Sequence, residues 1–239
     1  MPAVTVGLTV YNGAKYLPES VGSIMGQTYE DFECIAVLDG CTDNSLEIIQ
    51  SMGDDRFKIL VRKENKGLIA GLGTIIERST TPYIVWQDHD DIMLPYRVVM
   101  LLSFMESHPD IAVCGTYFDY ISGEGVMIGD PLKFPTDHKD IVEAMKDYTS
   151  IGGPTVITRK SALVDVGGFD AEYYAAPDLA LWLKMIVAGY KFAAIPIVAQ
   201  HYRVYDQQTS KALGSVQQEH TKLAYEKWGS QIWSNQDET

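Results

Sequence analysis

The 239-residue sequence is short of cysteine, of positive charge and of unbroken apolar stretches. Each shortage excludes a class of protein. Its three cysteines, Cys34, Cys41 and Cys114, form no CxxC pair and no Cys/His metal spacing. So sparse and odd a set excludes a disulfide-stapled scaffold and fits a reducing compartment, where a thiol behaves as a small core group. Nineteen Lys and Arg stand against 32 Asp and Glu, a formal net charge of −13. A duplex nucleic-acid binder must neutralise phosphates with Lys and Arg, and a polybasic membrane anchor needs the same residues. Neither class fits. The most apolar stretch, 179–199, is broken by Lys184, Gly189, Lys191 and Pro196. It reads as helix, turn and strand, not as a membrane span. The first ten residues lack the basic start and cleavage site of an export signal, so the expectation is a cytoplasmic protein. A Walker A loop is missing, and Gly71-Leu72-Gly73 lacks the third glycine of a dinucleotide fingerprint.

What is present is alternation. Residues 4–10, 32–38, 57–61 and 83–87 are β-rich and apolar. Between them 17–25, 45–52 and 67–78 have helical spacing, the first with Leu17, Val21, Ile24 and Met25 on one face. Strand and helix in turn, with short connections, predict an α/β fold whose mostly parallel sheet is covered on both faces. In such sheets ligands bind at the carboxyl ends of the strands. The unusual residues sit at those ends: Thr9 to Asn12, Asp39-Gly40, and Asp88-His89-Asp90-Asp91. The second half reads as a helix over 95–107, strands over 111–120 and 125–128, and a short helix over 141–145. A strand fragment at 156–157, a helix over 179–187, a strand over 192–204 and a helix over 215–227 complete it. No linker divides the halves, which are expected to share one core.

Three carboxylates within four residues repel each other unless a cation joins them. Oxygen-rich clusters suit Mg²⁺ or Mn²⁺, which bind through one or two carboxylates plus substrate phosphates. The plainer reading is a solvated acidic turn capping the next helix, and Asp91 in particular reads as a cap or support. Asp39 reads either as a hydrogen-bond acceptor for a ligand or as a turn residue, and Asp43 as a helix cap. Asp178 at a helix start reads as a cap. Lys66, near Arg62 and Lys63, faces either a diphosphate or solvent.

Taken in order, TVYNGAKYLPESVGSIMGQTYEDFECIAVLDGCTDNS, NKG, YIVWQDHDDIMLP, GGFD, PDLALWLKM and HYRVY resemble family 2 glycosyltransferases of the GT-A fold, from Val4 to about Ser210. The resemblance implies a Rossmann-like, mostly parallel central sheet flanked by helices, with a smaller mixed-sheet acceptor-side half. It assigns 1–92 to the nucleotide-sugar, 93–210 to the acceptor and catalytic base, and 211–239 to a C-terminal helix and tail, all in one continuous domain. Thr9 and Tyr11 would flank the base, with Tyr11 stacked on it and Asp39 accepting a hydrogen bond from it. Asp88-His89-Asp90 matches the DxD motif. Asp90 would bind Mn²⁺ or Mg²⁺ directly, and Asp88 would reach the ribose or a metal-bound water. Lys66 and Arg203 would meet the diphosphate.

Asp178 would act as general base in a single inverting displacement, and Trp182 and Gly153 would border the acceptor. The implied donor is a UDP-sugar. The implied acceptor is a saccharide or lipid-linked saccharide in surface polysaccharide or glycoprotein assembly, reached by a soluble or peripherally attached enzyme. No QxxRW segment follows Asp178, unlike in processive relatives. The chain departs from the family pattern at Pro177, where a second acid is usual, and at Ala70 to Gly73, where an Asn is usual. Tyr205 also stands where a His is usual, and His201 is a candidate third metal ligand. Two rival readings remain: a nucleotide-sugar-binding module without catalysis, and a sugar nucleotidyltransferase.

Overall fold

In a computed structural model, which describes residues 2–206 and 208–233, the first half alternates as expected. Strands β1 (Val4–Val10), β2 (Phe32–Asp39), β3 (Phe57–Arg62) and β4 (Tyr83–Asp88) alternate with helices α1 (Leu17–Met25), α2 (Ser45–Ser51) and α3 (Leu68–Arg78). All four strands pair in parallel, in the order β3-β2-β1-β4. The chain therefore moves outward from β1 first to one side and then to the other, which opens a crevice at the carboxyl ends of β1, β2 and β4.

Burial on both faces explains the continuous apolar runs. On β2, Cys34, Ala36 and Leu38 enter one core with Val4, Val6 and Leu8, while Ile35 and Val37 enter the other with Ile84 and Trp86. The period-2 alternation thus separates two cores rather than core from solvent. α3 lies close over β1 because the strand offers Gly7 there: a Cβ at that position would come within 2.7 Å of Ile75 Cγ2. One turn earlier, a Cβ on Gly71 would stand 3.0 Å from Thr9 Cγ2. The glycines that failed as a dinucleotide fingerprint thus include one that seats α3 against the ligand-facing end of β1.

The second half extends the same sheet. After β5 (Ile92–Met93) and α4 (Arg97–Ser107) come β6 (Ile111–Ser122), β7 (Met127–Leu132), α5 (His138–Ala144), β8 (Ile157–Arg159) and α6 (Lys160–Asp165). α7 (Pro177–Val187), β9 (Lys191–Val204), α8 (Thr209–Ala224) and α9 (Ser230–Trp233) follow. The full order is β3-β2-β1-β4-β8-β6-β9-β5, with β7 on β6. β8 is antiparallel to β4 and β6, and β9 runs parallel to β6. The two halves share one sheet, as expected. The short β5 and α6 were not legible, and α4 starts at Arg97, two residues after Pro95, on a turn closed by Arg97 N–H to Leu94 O.

Gly214, at φ +34°, kinks α8, so that the stretch from 215 onward is helical as expected, and it passes into a wider turn, Tyr225–Gly229. Tyr225 donates to Met145 O at 2.6 Å, and Trp228, Ile232 and Trp233 pack on the core. Among the described residues, no helix is long and apolar enough to cross a membrane.

Candidate functional site

The end of β1 is tied to the start of α2. Asn12, at φ +48°, accepts from Thr42 N–H. Asp43 accepts from Ala14 N–H and from the Ser45 N–H and hydroxyl. Asp43 therefore holds the loop to the helix start, as a cap residue would. The clamp leaves Tyr11 49% exposed and Thr9 half-buried, in register with Asp88.

Asp39 closes β2 and is buried. Its Oδ1 accepts from Arg62 Nη1 at 3.0 Å and its Oδ2 from Lys66 N–H at 3.0 Å. Gly40, at φ +68°, lets the loop 64–66 lie on it: a Cβ there would stand 2.3 Å from Asn65 N. Lys66 thus reaches Asp39 through its backbone, and its side chain lies in an exposed loop.

The structure sorts the acidic turn. Asp91 is fully buried; its carboxylate accepts from Arg203 N–H and Gln200 Nε2, both at 2.9 Å. It supports the turn and is closed to any ligand. Asp90 is 8% exposed, and its Oδ2 accepts from the Tyr205 hydroxyl at 2.8 Å. Asp88 lies half-buried at the end of β4. Burial, then the nearby Asp90 and Asp178 carboxylates, push its pKa up to about 8. His89 packs on Gly13, where a Cβ would come within 2.5 Å of its ring.

Among the described residues, no group of three or more His, Cys, Asp or Glu is gathered around one point. A divalent ion bound mainly through substrate phosphates needs only one or two carboxylates. Two crowded all-oxygen acids, neither paired directly with a guanidinium or ammonium, fit that donor set. His201 stands apart, opposite Asp119 in register and with Nε2 3.9 Å from its carboxylate.

Asp178 enters from the other half. It sits in the first turn of α7 behind Pro177, but it does not cap its own helix. Its carboxylate turns across to the backbone of Gly153, whose amide stabilises the ionised form. A Cβ on Gly153 would fall 2.0 Å from Asp178 Oδ2, so only glycine permits this approach. Burial raises the Asp178 pKa to about 6, against the lowering effect of the Gly153 amide. Asp178 and Asp88 line one cavity of about 100 Å³ with Leu68, Trp86, Gly153 and Phe169.

Arg203 is placed otherwise than expected. Arg203 is 1% exposed, and its guanidinium is turned inward to Asp90 O, Ser122 O and Gly123 O, with Nη2 on Glu19 at 2.6 Å. It also lies over the Tyr16 ring at 4.5 Å. With these donors committed, it braces the acidic turn instead of presenting a fork to phosphate. Trp182, 1% exposed and edge-on to Phe192, lines the same cavity as Asp88 and Asp178. Gly153, expected beside the acceptor, is the partner of Asp178.

Two contributors escaped the sequence reading. Tyr205 stood out only as a departure, and it contacts Asp90. Gln87 and Gln200, amides inside otherwise apolar strands, were the available signal of a buried polar network. A hollow of about 380 Å³ beside Tyr205 is lined by Lys15, Tyr16 and Glu124 among others, and an open one of about 640 Å³ follows α8. Neither holds Asp88 or Asp178.

A crevice at the ends of β1, β2 and β4, joined to a mixed extension that brings a carboxylate across, defines the GT-A class of fold. S. aureus TarS 1-349 in complex with UDP-GlcNAc superposes with a TM-score of 0.75 at 17% identity, over 98% of this chain and 73% of that one. The mannosyltransferase PcManGT from Pyrobaculum calidifontis, in complex with GDP-Man and Mn²⁺, gives 0.69 at 16%, over 95% and 64%. Residues 5–164 match the family described as glycosyl transferase family 2, and the chain belongs to that family. An uncharacterized glycosyltransferase of Haemophilus influenzae is 32% identical over 231 residues, which is 92% of this chain and 71% of that protein.

Proposed function

We propose that the protein is an inverting glycosyltransferase that moves one sugar from a nucleotide-sugar, of the UDP type, to a saccharide or lipid-linked saccharide hydroxyl. The observation that carries this reading is the single cavity shared by Asp88, from the nucleotide half, and Asp178, from the acceptor half. A base must stand within hydrogen-bond reach of its proton and have a pKa near the working pH. Asp178, at about 6, is ionised at neutral pH yet more basic than an ordinary carboxylate.

Asp178 takes the proton of the acceptor hydroxyl as its oxygen bonds to the anomeric carbon. The bond from that carbon to the phosphate oxygen breaks on the opposite side, and the nucleoside diphosphate leaves. Tyr11 offers a ring face to the base, and Asp39 an acceptor for a base N–H. Asp88 and Asp90 would hold a divalent ion, which supplies Lewis-acid stabilisation of the charge on the departing diphosphate. The solved neighbours bound to UDP-GlcNAc and to GDP-Man with Mn²⁺ support a nucleotide-sugar donor and a divalent ion.

Calorimetric titration with UDP, with and without Mn²⁺, tests the reading. Binding that requires the ion, followed by metal-dependent UDP release from a UDP-sugar, is expected. Failure to bind UDP, GDP, CDP or dTDP under either condition would refute it.

A further inference from the structure

Arg97 is fully buried, near enough to Asp88 for its charge to act on that carboxylate, yet its guanidinium donates to carbonyl and amide oxygens. It opens α4, and its guanidinium reaches four groups on three segments. Nη2 donates to Trp86 O at 2.9 Å and to Pro154 O at 2.5 Å. Nη1 donates to Gln87 Oε1 at 2.9 Å and also to Gln200 Oε1. Each acceptor leads to the site. Gln87 Nε2 donates to Asp88 O and Asp91 O, closing the acidic turn on itself. Gln200 Nε2 donates to the Asp91 carboxylate. Pro154 follows Gly153, whose amide stabilises the ionised Asp178.

We propose, resting on the function given above, that Arg97 is a positioning residue that fixes the acidic turn and the Gly153–Pro154 loop relative to each other, so that Asp88 and Asp178 face one cavity. The geometry favours this over a role in stability alone. A buried charge is weak evidence for stability, because well-packed apolar residues usually serve that end as well or better. Its Nε is also buried without a partner, which a purely stabilising site would avoid. What the planar fork offers is several donors in fixed directions, which no apolar residue and no lysine supplies. The acidic turn and the Gly153 loop lie some sixty residues apart in sequence, and α7 is further on still. Local structure cannot set their spacing.

The test uses the full chain with Arg97→Lys, which keeps the charge and loses the fork. The base contacts at Tyr11 and Asp39 lie outside the network and are expected to be retained, while kcat falls about 10²-fold, the usual effect of displacing a reacting group by about 1 Å. The loss should vanish in the Asp178→Asn background, since residues acting as a unit are non-additive. Amide hydrogen exchange at 153–155 should rise while that of 4–10 is unchanged. A kcat within about threefold of wild type, an additive loss with Asp178→Asn, or exchange rising equally throughout would overturn the proposal.

If Arg97→Lys does not fold, Gln200→Leu carries the test. It keeps the guanidinium and its bond to Pro154 but cuts the link to Asp91. Faster exchange at 88–91 and a kcat lower by about tenfold support the inference, and no change in either overturns it. Wild-type protein that turns over no donor would refute the proposed function, and the exchange measurements would still decide the role of Arg97.

Discussion

Replacing Asp178 by Asn should weaken the reaction and strengthen the fold. The carboxylate is folded into a site that raises its pKa from 3.8 to about 6. A group with a raised acid pKa binds its proton more tightly when native than when unfolded. Its contribution is therefore zero below about pH 4, where both states are protonated, and unfavourable above about pH 6, where both are ionised. A shift of about two units corresponds to about 3 kcal/mol. The carboxylate keeps a partly open face, so about 1–2 kcal/mol is the expected gain for the neutral amide at pH 7. In a chain of this size that raises Tm by roughly 2–8 °C.

The amide oxygen can still face the Gly153 amide, so the geometry survives the change. Turnover should fall by about 10²–10⁴, the usual contribution of a general base. Thermal unfolding of both proteins from pH 4 to pH 8, with UDP release measured alongside, reads both effects. The Tm difference should be absent at pH 4, grow to pH 6 and then level off. A less stable Asn variant, or one that keeps wild-type turnover, refutes the reasoning.

Gly153→Ala should fold, because the clashing atom is the end of a side chain 2.0 Å away. Displacing Asp178 should cost about 10² in kcat, read in a steady-state assay at unchanged UDP affinity. Tyr205→Phe removes the hydroxyl on Asp90. Apparent Mn²⁺ affinity, from activity titration, should fall about 10-fold or more, as for other residues that orient a metal ligand. Asp39→Asn should weaken UDP binding about 10–100-fold by calorimetry, the loss of one hydrogen bond to a charged acceptor. With the Asp88 pKa at about 8, a divalent ion must displace a proton. UDP-dependent Mn²⁺ affinity should therefore rise with pH between 7 and 8, by at most about tenfold per unit for one proton. A flat profile, measured with UDP fully ionised, argues against Asp88 as a ligand.

The strand ends were legible in the sequence because each follows an apolar run buried on both sides, and such runs announce their own termini. The parallel first half was therefore clear before any coordinates. What stayed hidden depends on partners far along the chain. Asp91 read as a cap or support, but what it supports was hidden: Arg203 and Gln200, more than a hundred residues later, take its carboxylate, and Tyr205 takes that of Asp90. Arg203 was expected at the diphosphate from the resemblance of HYRVY alone, but burial commits its donors to carbonyls and to Glu19. Asp178 read as a helix cap by position alone. Only the missing Cβ of Gly153 shows why it turns away from its own helix.

These assignments share one electrostatic logic. Asp88 and Asp178 line one cavity with Asp90 beside Asp88, and two buried guanidiniums, Arg97 and Arg203, support the same segments. Both arginines donate mainly to carbonyl and amide oxygens; the one carboxylate either grips is Glu19, outside the group. They hold the backbone in place, and the Arg97 charge lowers the Asp88 pKa too little to offset burial and the neighbouring acids. An arginine paired directly with Asp88 or Asp178 would lower that pKa and stabilise the empty protein. It would also abolish the basicity that a proton acceptor needs and occupy the place of a cation. Rigid support from behind with crowded acids in front makes the empty site less stable than it could be, and on the proposed function it leaves those carboxylates free for a cation and a proton that arrive with substrate.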